Sequence, residues 1–233
     1  MGNAVNTERV FINDHDIRDY GAKALRGIVI GGTEITNDYF QGRNRTHYTL
    51  MSTQFGLKSI SFTLVYDSVL LRTAGEHRSM LEAEMAKGCE LYLPDGFYYR
   101  CMLESIGEPE VHGVDGLQVL VSVAYKFSGI QHDPLETIDN GASFIAKGTM
   151  PQMDCRLTVT VGADAATYRL RGAVFSNVHA GDVIVFDGIN KRFLKNGAPT
   201  TATEWVTFPY VQPGQNIFTA NDPVKVEYYP CYI

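Results

Sequence analysis

Residues 117–127 read Leu-Gln-Val-Leu-Val-Ser-Val-Ala-Tyr-Lys-Phe, with Leu117, Val119, Val121, Val123, Tyr125 and Phe127 on alternate positions and Gln118, Ser122, Ala124 and Lys126 among the residues between them. A period of two is that of a strand with one buried face and one wet one. The same period runs through Lys58 to Tyr66, where Ile60, Phe62 and Leu64 alternate with Ser59, Ser61 and Thr63. Between the two, Glu90 to Arg100 carries Pro94-Asp95-Gly96 inside apolar and aromatic flanks, which predicts a hairpin. One helix is expected, from Thr73 to Lys87. His77, Met80, Leu81, Glu84 and Met85 form its inner stripe, Glu76, Arg78 and Glu82 decorate its outer face, and Gly88 caps its end. The first half is therefore expected to be a sheet packed on a single helix.

Around Asp133 to Gly141 the pattern breaks into turn-forming and polar residues, which places a linker there. The expected organisation is a first domain over 1–132, a linker over 133–141 and a second domain over 142–233. In the second, apolar runs recur at Arg156–Val161, Tyr168–Leu170, Asp182–Asp187, Arg192–Leu194, Asn216–Thr219 and Val224–Tyr228, with Asp-Gly, Asn-Gly or Pro-Gly between several of them. That spacing is the mark of an antiparallel β-sandwich. The fold class is thus mainly β with one helix. The 22 glycines, nine prolines, 13 tyrosines and 12 phenylalanines agree with many short strands and tight turns.

A net charge of −6 excludes a protein that holds nucleic acid by neutralising phosphates, and neither half of the chain is basic. The longest apolar runs, such as Val183–Phe186, fall far below the roughly 18 residues of a membrane-spanning helix. The first residues, MGNAVNTERV, lack the pattern of a secretory leader, so synthesis is expected to finish in the cytosol. Cys89, Cys101, Cys155 and Cys231 are widely spaced and read as reduced thiols.

No phosphate-binding glycine loop, nucleophile elbow or HExxH zinc motif occurs, and the six histidines stand singly. Asp14 to Asp19 resembles a calcium loop only superficially, because Arg18 stands where an oxygen ligand is needed. Neither metal nor cofactor is expected, nor a catalytic group. Glu104, Glu108, Glu110 and Asp115 could supply a carboxylate pair for glycoside hydrolysis, or could simply be a solvated turn. Trp205, the sole tryptophan, sits in the same half as Tyr210, Tyr228 and Tyr229. Stacking on a sugar or a partner and burial between sheets are both open for these rings. Gly31 to Met51 fits no clean period and mixes turn formers with Tyr39, Phe40, Arg43, Arg45 and Tyr48. It reads either as a functional arm or loop, or as an exposed hairpin with solvated arginines.

The order of sheet plus helix, linker and sandwich resembles the distal tail protein family of siphophages. The likeness lies in Phe11–Asp14, Ile60–Leu64, the helix closed by Gly88, Leu91–Gly96, and the long alternating strand ending at Phe127 and followed by Pro134. It continues through Ile138–Gly141, Met150–Gln152, Asp182–Gly188, Asn196-Gly197 and Phe208–Asn216, so it spans nearly the whole chain. This resemblance implies a ring-forming first domain whose arm grips the neighbouring subunit, and a galectin-like second domain. It implies a homohexameric adaptor at the distal end of the tail, assembled in the host cytoplasm. Its partners would be other copies of itself, the tail tube, a tail-tip hub or tail-associated lysin, and receptor-binding or baseplate proteins, while DNA passes through the hole. Neither sequence-specific nucleic-acid binding nor membrane insertion is implied. On that reading Tyr39, Phe40, Arg43, Arg45 and Tyr48 are interface residues, of types enriched where subunits meet. Trp205, Tyr210 and Tyr228 are the candidate glycan or partner contacts. The alternative is a carbohydrate-binding module of a cell-wall or host-surface recognition protein.

Overall fold

The computed structural model describes residues 10–24, 27–44, 46–114, 118–218 and 220–233. Arg45, Asp115, Leu117 and Thr219 lie outside the described residues. The chain forms two compact units, one running to His132 and the other spanning Asp133–Tyr232.

In the first unit the elements are β1 (Phe11–Ile12), β2 (His15–Asp16), a 3-10 turn (Ile17–Tyr20), β3 (Ala22–Ala24), β4 (Val29–Gln41), β5 (Tyr48–Ser68), α1 (Leu71–Met85), β6 (Cys89–Tyr92), β7 (Tyr98–Ile106), β8 (Glu110–Val114) and β9 (Gln118–His132). The strands make one antiparallel sheet in the order β2-β1-β6-β7-β9-β5-β3, with β4 paired to β5 and β8 to β9 beside that path. Its centre is the pairing of the two alternating segments. Ile60 faces Phe127, Phe62 faces Tyr125, Leu64 faces Val123 and Tyr66 faces Val121. Residues directly across an antiparallel pair share a face, so these eight side chains line one side of the sheet, and all are buried. Phe62 stacks on Phe127 with ring centroids 5.3 Å apart.

Helix α1 closes this core with Ala74, Leu81 and Met85. It begins two residues before the expected Thr73, and its stripe is rotated. Met80 is exposed, because neighbours on a helix point about 100° apart and Leu81 is the one aligned with Ala74 and Met85. Arg78 and Glu82 are not fully outward either. The Tyr66 and Tyr125 hydroxyls lie 2.8 Å apart, Tyr125 donates to Glu82 Oε1 at 3.0 Å, and Arg78 Nε lies 3.4 Å from the same oxygen. Two buried phenols would be costly without such partners, and burial pushes both far above the ordinary tyrosine range. The helix ends at Met85, two residues before the expected Lys87. Gly88 takes φ +84° and its N–H donates to the Met85 carbonyl.

Local chemistry explains the turns. Asp95 accepts from Phe97 N and Tyr99 Oη while Gly96 sits at φ +87°, which closes the β6–β7 hairpin. Asn13 and Asp14 both have positive φ at the β1–β2 turn, and the Asn13 side chain accepts from Glu90 N. The calcium-like stretch is therefore a hairpin followed by a cap, in which Asp16 accepts from Arg18 N at 2.9 Å.

The second unit comprises β10 (Glu136–Ile138), β11 (Ser143–Ala146), β12 (Met153–Thr160), β13 (Ala165–Leu170), β14 (Ala173–Val178), β15 (Val183–Asp187), β16 (Arg192–Lys195), β17 (Ala198–Thr200), β18 (Tyr210–Val211), β19 (Gly214–Ile217), β20 (Val224–Tyr228) and β21 (Cys231–Tyr232). A main sheet in the order β10-β20-β12-β15-β16-β17, with β18 on β12, is joined by the two-stranded pairs β11–β19 and β13–β14 in an antiparallel β-sandwich. The core gathers Leu157, Val159, Phe175, Ile184, Phe186, Val226 and Tyr228. Asp187 is wholly buried but satisfied, by Asn190 N at 3.0 Å, Asn190 Nδ2 at 2.8 Å, and the Arg156 and Arg192 guanidiniums at 3.3 Å each.

Candidate functional site

Segment 31–51 is a β-hairpin rather than a loop. β4 pairs with β5 from Val29 opposite Ser61 to Gln41 opposite Tyr48, whereas β9 accompanies β5 only as far as Lys58. Beyond that point β5 has β4 as its partner, so residues 48–57 belong to a ribbon that reaches about 30 Å at roughly 3.3 Å per residue. No period was legible because both faces of this ribbon meet solvent, so burial does not select an alternation. A register shift between Asp38 and Tyr39 also reverses the parity of the far strand.

The register sorts the candidate residues. Tyr39 opposes Leu50 and Gln41 opposes Tyr48, so these four share one face, and the Tyr39 and Tyr48 rings meet edge-on at 5.8 Å. Asn37, Tyr39, Gln41, Tyr48 and Leu50 line a shallow groove there. Phe40, opposite Thr49, points to the other face. Arg43 is exposed in the tip turn, where Asn44 has φ +56°. Tyr39, Phe40 and Tyr48 remain 57%, 66% and 67% exposed, and Ile35, Leu50 and Met51 add to the apolar surface. A two-stranded ribbon is at best marginally stable alone, and its apolar side chains stand exposed on both faces.

In the second unit the three aromatic candidates separate. Tyr228 is fully buried, donating to Glu136 at 2.7 Å and accepting from Lys147 N at 2.9 Å, so its ring is closed to any ligand. Tyr210 is half-buried, with Arg171 over its ring at 6.0 Å. Trp205 stands at the surface. The aromatic stack beneath it has no signature in the sequence. Phe186 stacks on Phe193 at 4.9 Å, Phe193 on Phe208 at 5.5 Å, and Trp205 leans on Phe208 at 4.8 Å.

The described carboxylate candidates have separate surroundings. Glu104 is ion-paired to Lys126 at 3.0 Å, and the Ser128 hydroxyl and Lys126 together hold its carboxyl below the usual range, the reverse of what a general acid needs. Glu110 lies 3.8 Å from His112, and Glu108 is exposed. Among the described residues no group of three or more His, Cys, Asp or Glu could hold a metal ion, and no helix is long and apolar enough to cross a membrane. None of the four cysteines is in a disulfide, and burial pushes the Cys89 thiol up to about 11.

No family model and no curated protein matches the sequence. Solved structures do. The SPP1 Dit protein (gp 19.1), described as a paradigm of the hub adsorption apparatus in phages infecting Gram-positive bacteria, aligns with a TM-score of 0.67 at 11% identity, over 97% of this chain and 99% of its own. A chain of the phage p2 baseplate in its activated conformation with Sr aligns with a TM-score of 0.52 at 11% identity, over 95% of this chain and 97% of its own. The chain shares the fold of these proteins over nearly all of its length.

Proposed function

We propose that this chain is a structural component of a phage tail. Its copies close head-to-tail into a ring, six in number, at the distal end of the tail tube, where the ring joins the tube to the tail-tip hub and baseplate and leaves a passage for DNA. The observation that carries this reading is the agreement of fold with SPP1 Dit across both units, over 97% of the chain. The exposed ribbon supports it. A heterologous contact repeated around a closed axis would cover Tyr39, Tyr48 and Leu50 in every copy. Charge is compatible too, since a net of −6 is the sign suited to an assembly that lets DNA pass without holding it. On this reading the first unit builds the ring, and the second, galectin-like unit faces outward to baseplate or receptor-binding proteins. The work is mechanical and needs no catalytic group. Light scattering on the purified full chain tests it: a concentration-independent mass of six subunits is expected, and a strict monomer at high micromolar concentration would contradict it.

A further inference from the structure

We propose that Cys89 and Cys101 are a thiol modification site, a facing pair that closes reversibly into a disulfide across the β6–β7 hairpin. The two residues are direct partners in the β6–β7 register, so their side chains leave the same face of the sheet. Both are buried in the core of the first unit. The local ladder sets their separation. Asn13 N donates to the Glu90 carbonyl and Glu90 N donates to the Asn13 side chain, both at 2.9 Å, so the Glu90 backbone is turned toward β1. Backbone groups point alternately to either side along a strand. Cys89, one residue earlier, is therefore turned toward β7 and forms a hydrogen-bonded pair with Cys101. Such a pair holds its Cα atoms about 5.5 Å apart, within the range of about 4.4–6.8 Å that a disulfide spans.

One rotamer keeps the reduced pair apart. A Cβ built on Gly129 would lie 2.4 Å from the Cys101 sulfur, and Gly129 faces Cys101 from β9. The sulfur thus leans toward β9, over a residue with no side chain, and a turn to another staggered position brings it to the β6 side. The strands must also draw together, because Cβ atoms of a hydrogen-bonded pair stand about 5.5 Å apart and a disulfide needs about 3.8 Å. That misfit gives a bond that reopens readily rather than a permanent staple. Burial pushes the Cys89 thiol up to about 11 and the Cys101 thiol higher still, with the Cys89 sulfur adding to the rise. Neither therefore reacts until the open end of the hairpin frays. Cys89, the first residue of β6 directly after the Gly88 turn, stands at that end.

The oxidant is a small disulfide such as oxidised glutathione. The Cys89 thiol gives up its proton, and its sulfur attacks one sulfur of the oxidant and releases a glutathione thiolate. The Cys101 sulfur, deprotonated in turn, attacks the Cys89 sulfur and releases the second. Two protein S–H bonds and the oxidant's S–S bond are lost; one protein S–S bond and two glutathione S–H bonds form, and glutathione carries away the two electrons. The bond fastens the β2-β1-β6 side of the sheet to β7 and β9. A reducing cytosol keeps the pair open, and an oxidising medium closes it.

The full chain, purified reduced, is equilibrated at stepped ratios of reduced to oxidised glutathione, quenched in acid, unfolded, alkylated and mapped by mass spectrometry. A product lighter than the dithiol by about 2 Da is expected, the two hydrogens lost on closure. Cys89 and Cys101 should be joined in it, with Cys155 and Cys231 still alkylated, and excess reduced glutathione should reopen it. Cys89→Ala and Cys101→Ala should each lose the product; the peptide map of the parent decides the question even where a variant fails to fold. The proposal is overturned if both thiols alkylate fully at every ratio, if only mixed glutathione adducts accumulate, if other cysteines prove to be the joined ones, or if the bridge resists excess reduced glutathione. It stands apart from the ring: a hexamer without the bridge overturns only this site, and a bridged monomer overturns only the ring.

Discussion

Replacing Tyr39 and Tyr48 together by alanine removes the aromatic pair from one face of the ribbon and leaves Phe40 on the other. The two side chains are 57% and 67% exposed in the isolated chain. With about 200 Å² per aromatic side chain, that leaves roughly 110–130 Å² on each ring for a neighbouring copy to cover. At about 25 cal/mol per Å² the gain is about 3 kcal/mol per ring. Side-chain ordering and the desolvation of two hydroxyls consume a large share of it, so about 2–3 kcal/mol per contact is the expected loss, a weakening of roughly 30- to 150-fold. Sedimentation velocity across a concentration series reads this directly. Because the rings are open to solvent, the double variant should melt within about 2 °C of the parent, the range expected for surface changes of a few tenths of a kcal/mol. Unchanged association would refute the assignment of this face to the interface. A large fall in melting temperature would show that the pair supports the chain's own fold instead.

Asp187→Ala should strip the acceptor from Asn190, Arg156 and Arg192 around a wholly buried position; a loss of about 3 kcal/mol by urea unfolding is expected. Gly188→Ala would place a Cβ 2.4 Å from the Pro209 carbonyl and 2.7 Å from that of Cys155, both backbone atoms unable to move aside cheaply. It should cost about 2–4 kcal/mol, against about 1 kcal/mol for Gly197→Asn, where a Cβ meets open space and only the positive φ opposes the side chain. Acid should weaken the second unit. Lys195, His179 N and Asn196 hold the Asp182 carboxyl far down; at Asp187 burial pushes upward but the Asn190 hydrogen bonds and the arginine charges outweigh it. Both groups have native pKa values below the unfolded value of about 3.9. Their stabilisation is therefore fully present above that pH and lost progressively as pH falls from it through the lower native values. Urea midpoints that stay constant from pH 6 to pH 3 would contradict this.

Those parts of the fold where burial enforces a pattern were legible. Ile60 to Leu64 and Val119 to Phe127 alternate because one face meets the core, and Pro94-Asp95-Gly96 and Gly88 act through local backbone chemistry that needs no tertiary context. The helix was found but mis-rotated, because Met80 and Leu81 are equally apolar and only Ala74, a small residue, marks the inner face. β14 went unread since Ala173, Val174 and Phe175 are buried in succession and show no period. The ribbon was illegible as strand for the opposite reason, being wet on both faces, although Gly42-Arg43-Asn44 between two aromatic stretches signals its turn. At the surface, Tyr39 and Tyr48 could be recognised by residue type but not paired, since only the bulge after Asp38 brings them to the same side. Trp205 and Tyr228 have the same aromatic character in the sequence, yet Trp205 leans on Phe208 at the surface while Tyr228 is enclosed beside Phe144 and held by Glu136 and the Lys147 N–H.

The central claim is closure around an axis. Electron micrographs of the purified full chain, classified without imposed symmetry, test it most directly. The account predicts end-on views of a six-fold ring with an open centre; fields of separate single-copy particles at every concentration would contradict it.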